Sequence, residues 1–365
     1  MTLHFHWYLP TSGDGREVIG ALDPQEAAGR ASAFRPPSLD YLSLVARTAE
    51  QLGFEAVLTP TGTWCSDAWI TTAALIRETR TLKFLVAFRP GLITPTLAAQ
   101  QAAAFQQLSG GRLLLNIVTG GDAEEQRRFG DFLTKAERYQ RTGEFLEIVR
   151  GAWSGTPFDF AGTHYTVEGA AALPTPSPAP GIFFGGASEP ALDVAARHVD
   201  TYLTWTEPPA RVGALIDDVR RRAALHGRTL SFGIRAHVIA RDTSEEAWAE
   251  AHKLVERMNP AQIELARNRL AQSESEGQRR QLGLSADLRN LEVYPGLWAG
   301  YGLVRGGAGT ALVGSHAEVA SLIQEYAAVG VEHFVLSGQP HIEEAYWFGE
   351  GVRPILSRQG VLQVA

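Results

Sequence analysis

Short apolar runs alternate with amphipathic, helix-length stretches along nearly the whole chain, and this alternation limits the fold more than any other feature. Leu3–Leu9, Ala56–Thr59, Leu82–Phe88, Gly111–Thr119, Ile182–Gly185, Thr201–Thr204, Leu230–Ile239 and Glu332–Ser337 read as strands. Helical patterning covers Leu39–Leu52 (closed by Gly53), Asp67–Arg77, Thr96–Leu108, Lys135–Trp153, Pro190–Arg197, Arg211–His226 and Glu318–Val329. Strands that alternate with helices imply a parallel sheet. Eight such units suit a closed barrel; a doubly wound open sheet is the competing arrangement. The expected class is therefore α/β, a (β/α)₈ TIM barrel with insertions, forming one domain over residues 1–365.

Two segments break the repeat. The first, at about 155–180, combines a hairpin pattern at Phe158–Val167 with a proline-rich connector, Leu173–Pro180. The second, at about 242–313, follows the seventh strand and holds helical patterns, the polar run Ser273–Arg280 and the glycine-rich Gly300–Gly309. Loops that follow barrel strands lie on the rim where such folds build their active sites, so this one reads as a mobile lid. Gly13–Pro37 is another long rim loop.

Composition excludes several classes. With 33 Lys and Arg against 40 Asp and Glu, the formal net charge is −7, which argues against wholesale nucleic-acid binding. No run of about 18 apolar residues is present, so no spanning helix is expected. The N-terminal residues lack a signal-peptide pattern. Cys65 is the lone cysteine, which excludes an intrachain disulfide and makes the cytoplasm the natural location.

Polar residues stand where strands end. In FGIRAHVIA (232–240), Arg235 and His237 share one face of an otherwise apolar strand, because side chains alternate. A buried ion pair is one explanation, but no acid is evident at the strand ends; an anionic substrate is the other. Asn116 faces away from Leu115 and Ile117, either as a satisfied barrel residue or as an anchor for a heterocycle edge. In FFGGAS (183–188), two glycines and Ser188 at a helix start suit a phosphate, or Ser188 is a plain N-cap. Cys65 sits beside Ser66 and Asp67, where a helix start would lower a thiol pKa, or it is a small buried apolar group. His4 and His6 form an H-x-H pair, but other strand ends supply no further metal ligands, so both read as structural and no metal is expected. Gly306–Gly309 lacks the dinucleotide spacing, since Leu312 stands at the third glycine position, and reads as a flexible loop beside Arg305.

Taken in order, WYLPTSGDGR, LTPTGTWCSDAW, FLVAFRPG, LLLNIVTGGDAEE, ERYQRTGEF, IFFGGAS, YLTWTEPP, FGIRAHVIARDTSEEAW, LVRGGAGTALVG and VLSGQPHIEEAY resemble the reduced-flavin-dependent alkanesulfonate monooxygenases, within the bacterial-luciferase-like barrel flavoproteins. The resemblance runs from about residue 3 to about 356. It implies a two-component system, in which an NAD(P)H-dependent FMN reductase supplies reduced FMN and O₂ is the co-substrate. The implied reaction cleaves an organosulfonate C–S bond to sulfite and an aldehyde. The resemblance assigns Arg235, His237, Arg305 and Cys65 to catalysis, and Trp205, Gln339 and Trp7 to substrate binding. It assigns Asn116, Arg138, Tyr139, Gly186 and Ser188 to the flavin, with Ser188 at the phosphate. It also implies a homodimer or homotetramer, and a non-proline cis peptide near Ala87–Phe88.

The departures are specific. Gln339 replaces a family tyrosine, Ser12 replaces a histidine, the loop from Arg16 to Pro37 is longer, and the C-terminal tail is shorter. An amide in place of a phenol points to a polar substrate such as the sulfosugar sulfoquinovose. A simple alkanesulfonate, or deazaflavin hydride transfer on the same barrel, are the alternatives.

Overall fold

Eight parallel strands close into a barrel in the computed structural model of the protein, which describes residues 2–18 and 34–362. They are β1 (His4–Tyr8), β2 (Ala56–Thr59), β3 (Lys83–Phe88), β4 (Leu113–Ile117), β5 (Gly181–Gly185), β6 (Thr201–Trp205), β7 (Ser231–Arg241) and β8 (His333–Ser337). Neighbours in this order pair in parallel, and β8 pairs back with β1. The fold is the expected (β/α)₈ TIM barrel.

Period-two alternation sorts the wall residues. Phe5, Val57, Phe84, Leu115, Ile182 and Ile234 point outward into the large core shared with the helices. Tyr8, Leu58, Leu85, Phe183, Leu203 and Val335 fill the interior instead. The floor is polar. His4 Nδ1 lies 2.6 Å from Glu55 Oε2, and Lys83 Nζ lies 2.7 Å from Glu55 Oε1. His6 Nε2 lies 3.0 Å from His333 Nδ1. The H-x-H pair thus makes its contacts within the floor, away from the mouth.

Strand β7 is the longest strand, and it serves two sheets. Its first half pairs with β6 and β8. Its second half, His237–Arg241, pairs with an outer strand, Ala311–Ser315, which extends through Leu297–Trp298 to Glu292–Tyr294. The segment between β7 and this outer strand contains helices Ser244–Glu256, Pro260–Ala271 and Glu276–Leu284. Their starts carry side-chain caps: Thr243 with Glu246 forms a capping box, and Asn259 and Ser275 accept from Ala261 N and Gln278 N.

Three expectations need correction. The Ala87–Phe88 peptide is trans; the cis bonds among the described residues all precede proline, at Leu173–Pro174, Ser177–Pro178 and Gln339–Pro340. The hairpin near 158 pairs Phe158–Ala161 with Thr166–Ala170, so its return strand runs past Val167. Gly306–Gly309 is not a loose loop: Gly307 N and Gly309 N donate to the buried side chains of Gln278 and Gln281 at 2.9 and 3.0 Å. A Cβ on Gly309 would come within 2.8 Å of the Gly302 backbone, so this close approach needs glycine. Of the rim loop, residues 19–33 lie outside the described residues, while Asp14–Gly15 pairs with Phe34–Arg35. Among the described residues, no helix is long and apolar enough to cross a membrane.

Candidate active site

At the C-terminal mouth of the barrel, β7 presents Arg235 and His237 on its inner face, both buried. The Arg235 guanidinium donates to the carbonyls of Ala236 and Val335, and its Nη2 donates to Ser337 Oγ at 2.9 Å. Ser337 Oγ lies 2.8 Å from His237 Nδ1, and His237 Nε2 lies 3.2 Å from the Ala308 carbonyl. A carbonyl only accepts, so Nε2 carries the proton and Nδ1 accepts from the serine. Burial, with Arg305 and Arg235 nearby, holds this imidazole well below its usual range. His237 is therefore a neutral linker, not half of a cationic front. Its ring stacks on Tyr301 at 3.8 Å, which ties β7 to the lid.

The two mouth arginines share one aromatic face. Arg235 Cζ is 4.9 Å and Arg305 Cζ 5.8 Å from the centre of the Tyr8 ring. Burial and the neighbouring Arg305 push the Arg235 guanidinium down to about 9. Neither arginine has a carboxylate ion-pair partner among the described residues.

Other expected substrate residues divide. Trp205 ends β6, with its ring against Gly277 and Gly307 of the lid segment. Gln339 is buried, and its Oε1 has no hydrogen-bond partner. Trp7 does not face the mouth. It points outward against Phe54 and donates Nε1 to the His341 carbonyl at 3.1 Å, because its odd place on β1 puts it on the outer face. Cys65 lies just past β2, with Sγ 3.6 Å from the Gly62 carbonyl. Its thiol is pushed up to about 11, mainly by burial, against the expectation of an activated thiol. The helix start beyond it is already capped by Asp67, whose carboxylate bonds Ile70 N at 2.9 Å.

The residues expected to hold FMN fit that group in part. Asn116 sits on the inner face of β4 and is not fully buried. A Cβ at Gly186 would sit 2.7 Å from Ala191 Cβ and 3.2 Å from the Tyr139 hydroxyl, so the turn packs too closely there for any larger residue. Ser188 occupies the N-cap of helix Glu189–His198 but makes no side-chain cap, and its buried Oγ stands beside the Tyr139 hydroxyl. A serine hydroxyl that leaves the amides of a ten-residue helix start uncapped is what a phosphate needs. Arg138 is less available: it donates to the Leu133 carbonyl at 2.6 Å and pairs with Glu274 of the lid at 2.8 Å.

A family model described as luciferase-like monooxygenase matches residues 4–333. The chain belongs to that family. Solved structures share the fold. A riboflavin lyase with modified FMN and riboflavin superposes with a TM-score of 0.83 at 20% identity, covering 100% of this chain and 93% of that one. A long-chain alkane monooxygenase gives 0.78 at 19% over 100% and 93%. EDTA monooxygenase from Chelativorans sp. BNC1 gives 0.76 at 19% over 100% and 95%.

In this luciferase-like monooxygenase the lid segment lies against the barrel mouth. Gln281 Nε2 donates to the Thr206 carbonyl at 3.0 Å, Ser273 Oγ donates to the Gly121 carbonyl at 3.0 Å, and Arg280 pairs with Glu207 at 2.7 Å. Sequence reasoning passed over five mouth residues: Tyr8, Asp14, Tyr301, Ser337 and His341. Tyr8 was detectable, since it shares the inner phase of His4 and His6 on β1. His341 Nδ1 lies 2.8 Å from Asp14 Oδ1, and its ring stacks on Tyr8 at 5.5 Å.

Proposed function

We propose that this protein is a two-component monooxygenase that takes reduced FMN from a separate NAD(P)H-dependent reductase. It uses O₂ to cleave the C–S bond of a polar organosulfonate, releasing sulfite and an aldehyde. The observation that carries this reading is the pair Arg235 and Arg305, gathered on Tyr8 without an acidic partner among the described residues. A guanidinium buried without an anion is costly, and a sulfonate supplies a permanent anion with three acceptor oxygens. Phosphate at Ser188 and Gly186, with the ring edge at Asn116, would place the flavin beside that anion.

Bound reduced FMN supplies the two electrons that O₂ activation requires. The chain's own residues do the rest. Arg235 is aimed by Ser337, and Ser337 is aimed by His237. Trp205 walls the pocket under the lid, and the lid glutamines hold Arg305's loop in place and keep water out. Cys65, with its thiol kept protonated, lines the site as a neutral group. Gln339 in place of a phenol favours a polar substrate such as sulfoquinovose over a simple alkanesulfonate. The assembly and its cytoplasmic location are expected to follow the family.

Sulfite release tests the reading directly. Purified protein, an FMN reductase, NADH and O₂ are offered octanesulfonate, methanesulfonate and sulfoquinovose. Sulfite from sulfoquinovose should exceed that from both alkyl substrates. No sulfite from any of the three would sink the reaction class, and clear alkyl preference would sink the polar pocket.

A further inference from the structure

One polar pair at the mouth has no part in the proposed chemistry so far. Asp14 is completely buried, and both of its oxygens are saturated. Oδ1 accepts from Gly15 N at 2.8 Å and faces His341 Nδ1 at 2.8 Å. Oδ2 accepts from His341 N at 2.8 Å and from the Tyr41 hydroxyl. Arg35 stands behind, 4.0 Å from Oδ2 and paired with Glu343. An ionised carboxylate only accepts, so His341 Nδ1 must carry a proton. In the neutral ring the other nitrogen, Nε2, is then a bare acceptor. It is buried, has no hydrogen-bond partner among the described residues, and lies on the far side of the ring from Asp14. The ring itself stacks on Tyr8, the residue around which Arg235 and Arg305 gather. Two positions earlier, Gln339 Oε1 is a second buried acceptor with no partner.

The mouth therefore combines donors that lack an anion with acceptors that lack a donor. We propose that His341 Nε2 accepts a hydrogen bond from a substrate hydroxyl, and that Asp14 is the positioning residue that fixes the ring as the acceptor form. The inference rests on the organosulfonate reading and narrows it: the substrate is a hydroxylated sulfonate. A site built to bond a hydroxyl discriminates strongly against the analogue that lacks it, because the buried acceptor is then left unpaired. The long loop after β1, which carries Asp14, thereby reaches into substrate choice.

The test has a spectroscopic and a binding arm. Ring ¹⁵N resonances of His341, assigned by their loss in His341→Gln, are recorded at pH 8 in the wild type and in Asp14→Asn. The wild type should show a protonated Nδ1 and a bare Nε2, and Asp14→Asn should move the proton to Nε2. Calorimetry in the presence of oxidised FMN then compares 2-hydroxyethanesulfonate with ethanesulfonate, and sulfoquinovose with hexanesulfonate. In at least one pair the hydroxylated member should bind about tenfold tighter or better, and Asp14→Asn should cut that ratio below about threefold. If Asp14→Asn does not fold, His341→Phe keeps the ring shape without the acceptor and should collapse the same ratio. A protonated Nε2 in the wild type overturns the inference, as does a ratio near one in both wild-type pairs, or a ratio that survives the variants. Equal binding within both pairs removes only this inference; failure of all four sulfonates to bind removes the organosulfonate reading with it.

Discussion

Arg235 illustrates how far a single side chain depends on what surrounds it. Its Nη2–Ser337 bond and its stacking on Tyr8 fix its plane, so replacement by lysine loses the fork even though the charge survives. Arg235→Ala is expected to lower kcat/KM for sulfite release by roughly 10²–10³, since a buried charge that meets substrate is lost. Arg235→Lys should recover only part of this. Arg305→Ala should also lose at least about tenfold if it clamps the anion. Unchanged desulfonation in Arg305→Ala would show that Arg305 is not a clamp. Cys65 makes the opposite point. Its neighbourhood on the chain suggested activation, but the Asp67 carboxylate already occupies the helix start and burial dominates. Sequence neighbours do not reveal which group takes the cap.

Elements were legible where the pattern was local. The eight wall strands stand out because apolar runs are bounded by turn residues, and the inner face of β7 followed from alternation alone. Ala311–Ser315 did not stand out. Its short apolar run follows a glycine-rich loop, and its pairing with the far half of β7 and with Leu297–Trp298 makes it a strand. The Asp14–His341 contact was hidden for a related reason: 327 positions separate its partners, and nothing near either residue announces the other. The lid was visible as an interruption, but its fastening was not. Gln278 lies in the polar run Ser273–Arg280 and Gln281 directly after it, yet both are buried and hold glycine amides. Gln281→Ala removes two bonds and leaves Gly309 N unmatched, while the Thr206 carbonyl keeps its bond from Thr310 Oγ1, a cost of about 1–3 kcal/mol. The amides of residues 306–310 should then exchange with deuterium roughly tenfold faster or more, while those of β4 and β5 stay unchanged. Equal protection in the variant would mean that the lid is held elsewhere.

At the scale of the molecule, the histidines of the floor set an acid limit. Burial lowers His6 to about 4 and His333 to about 2, both below the ordinary 6.5. The unfolded chain therefore takes up protons first as pH falls below about 6.5, and stability drops from there toward pH 4. Each such group costs about 1.4 kcal/mol per pH unit in that window. His4 is raised by its bond to Glu55, so its contribution changes above pH 6.5 and leaves the slope below it unaltered. Urea unfolding at pH 7.5, 6.0 and 5.0 should show falling stability, and His6→Asn should flatten the slope. A rise in stability between pH 6.5 and 5.0 would contradict this account. The double duty of β7 has a further consequence, for engineering. Because the outer sheet branches from the strand that also closes the barrel, the lid leaves at Arg241 and returns at Ala311 between two chain segments already in register with each other. Such an excursion is a natural cassette. A lid from a relative, spliced between these two points, would exchange the roof over Arg235, and Arg305 with it, while leaving the wall beneath unaltered.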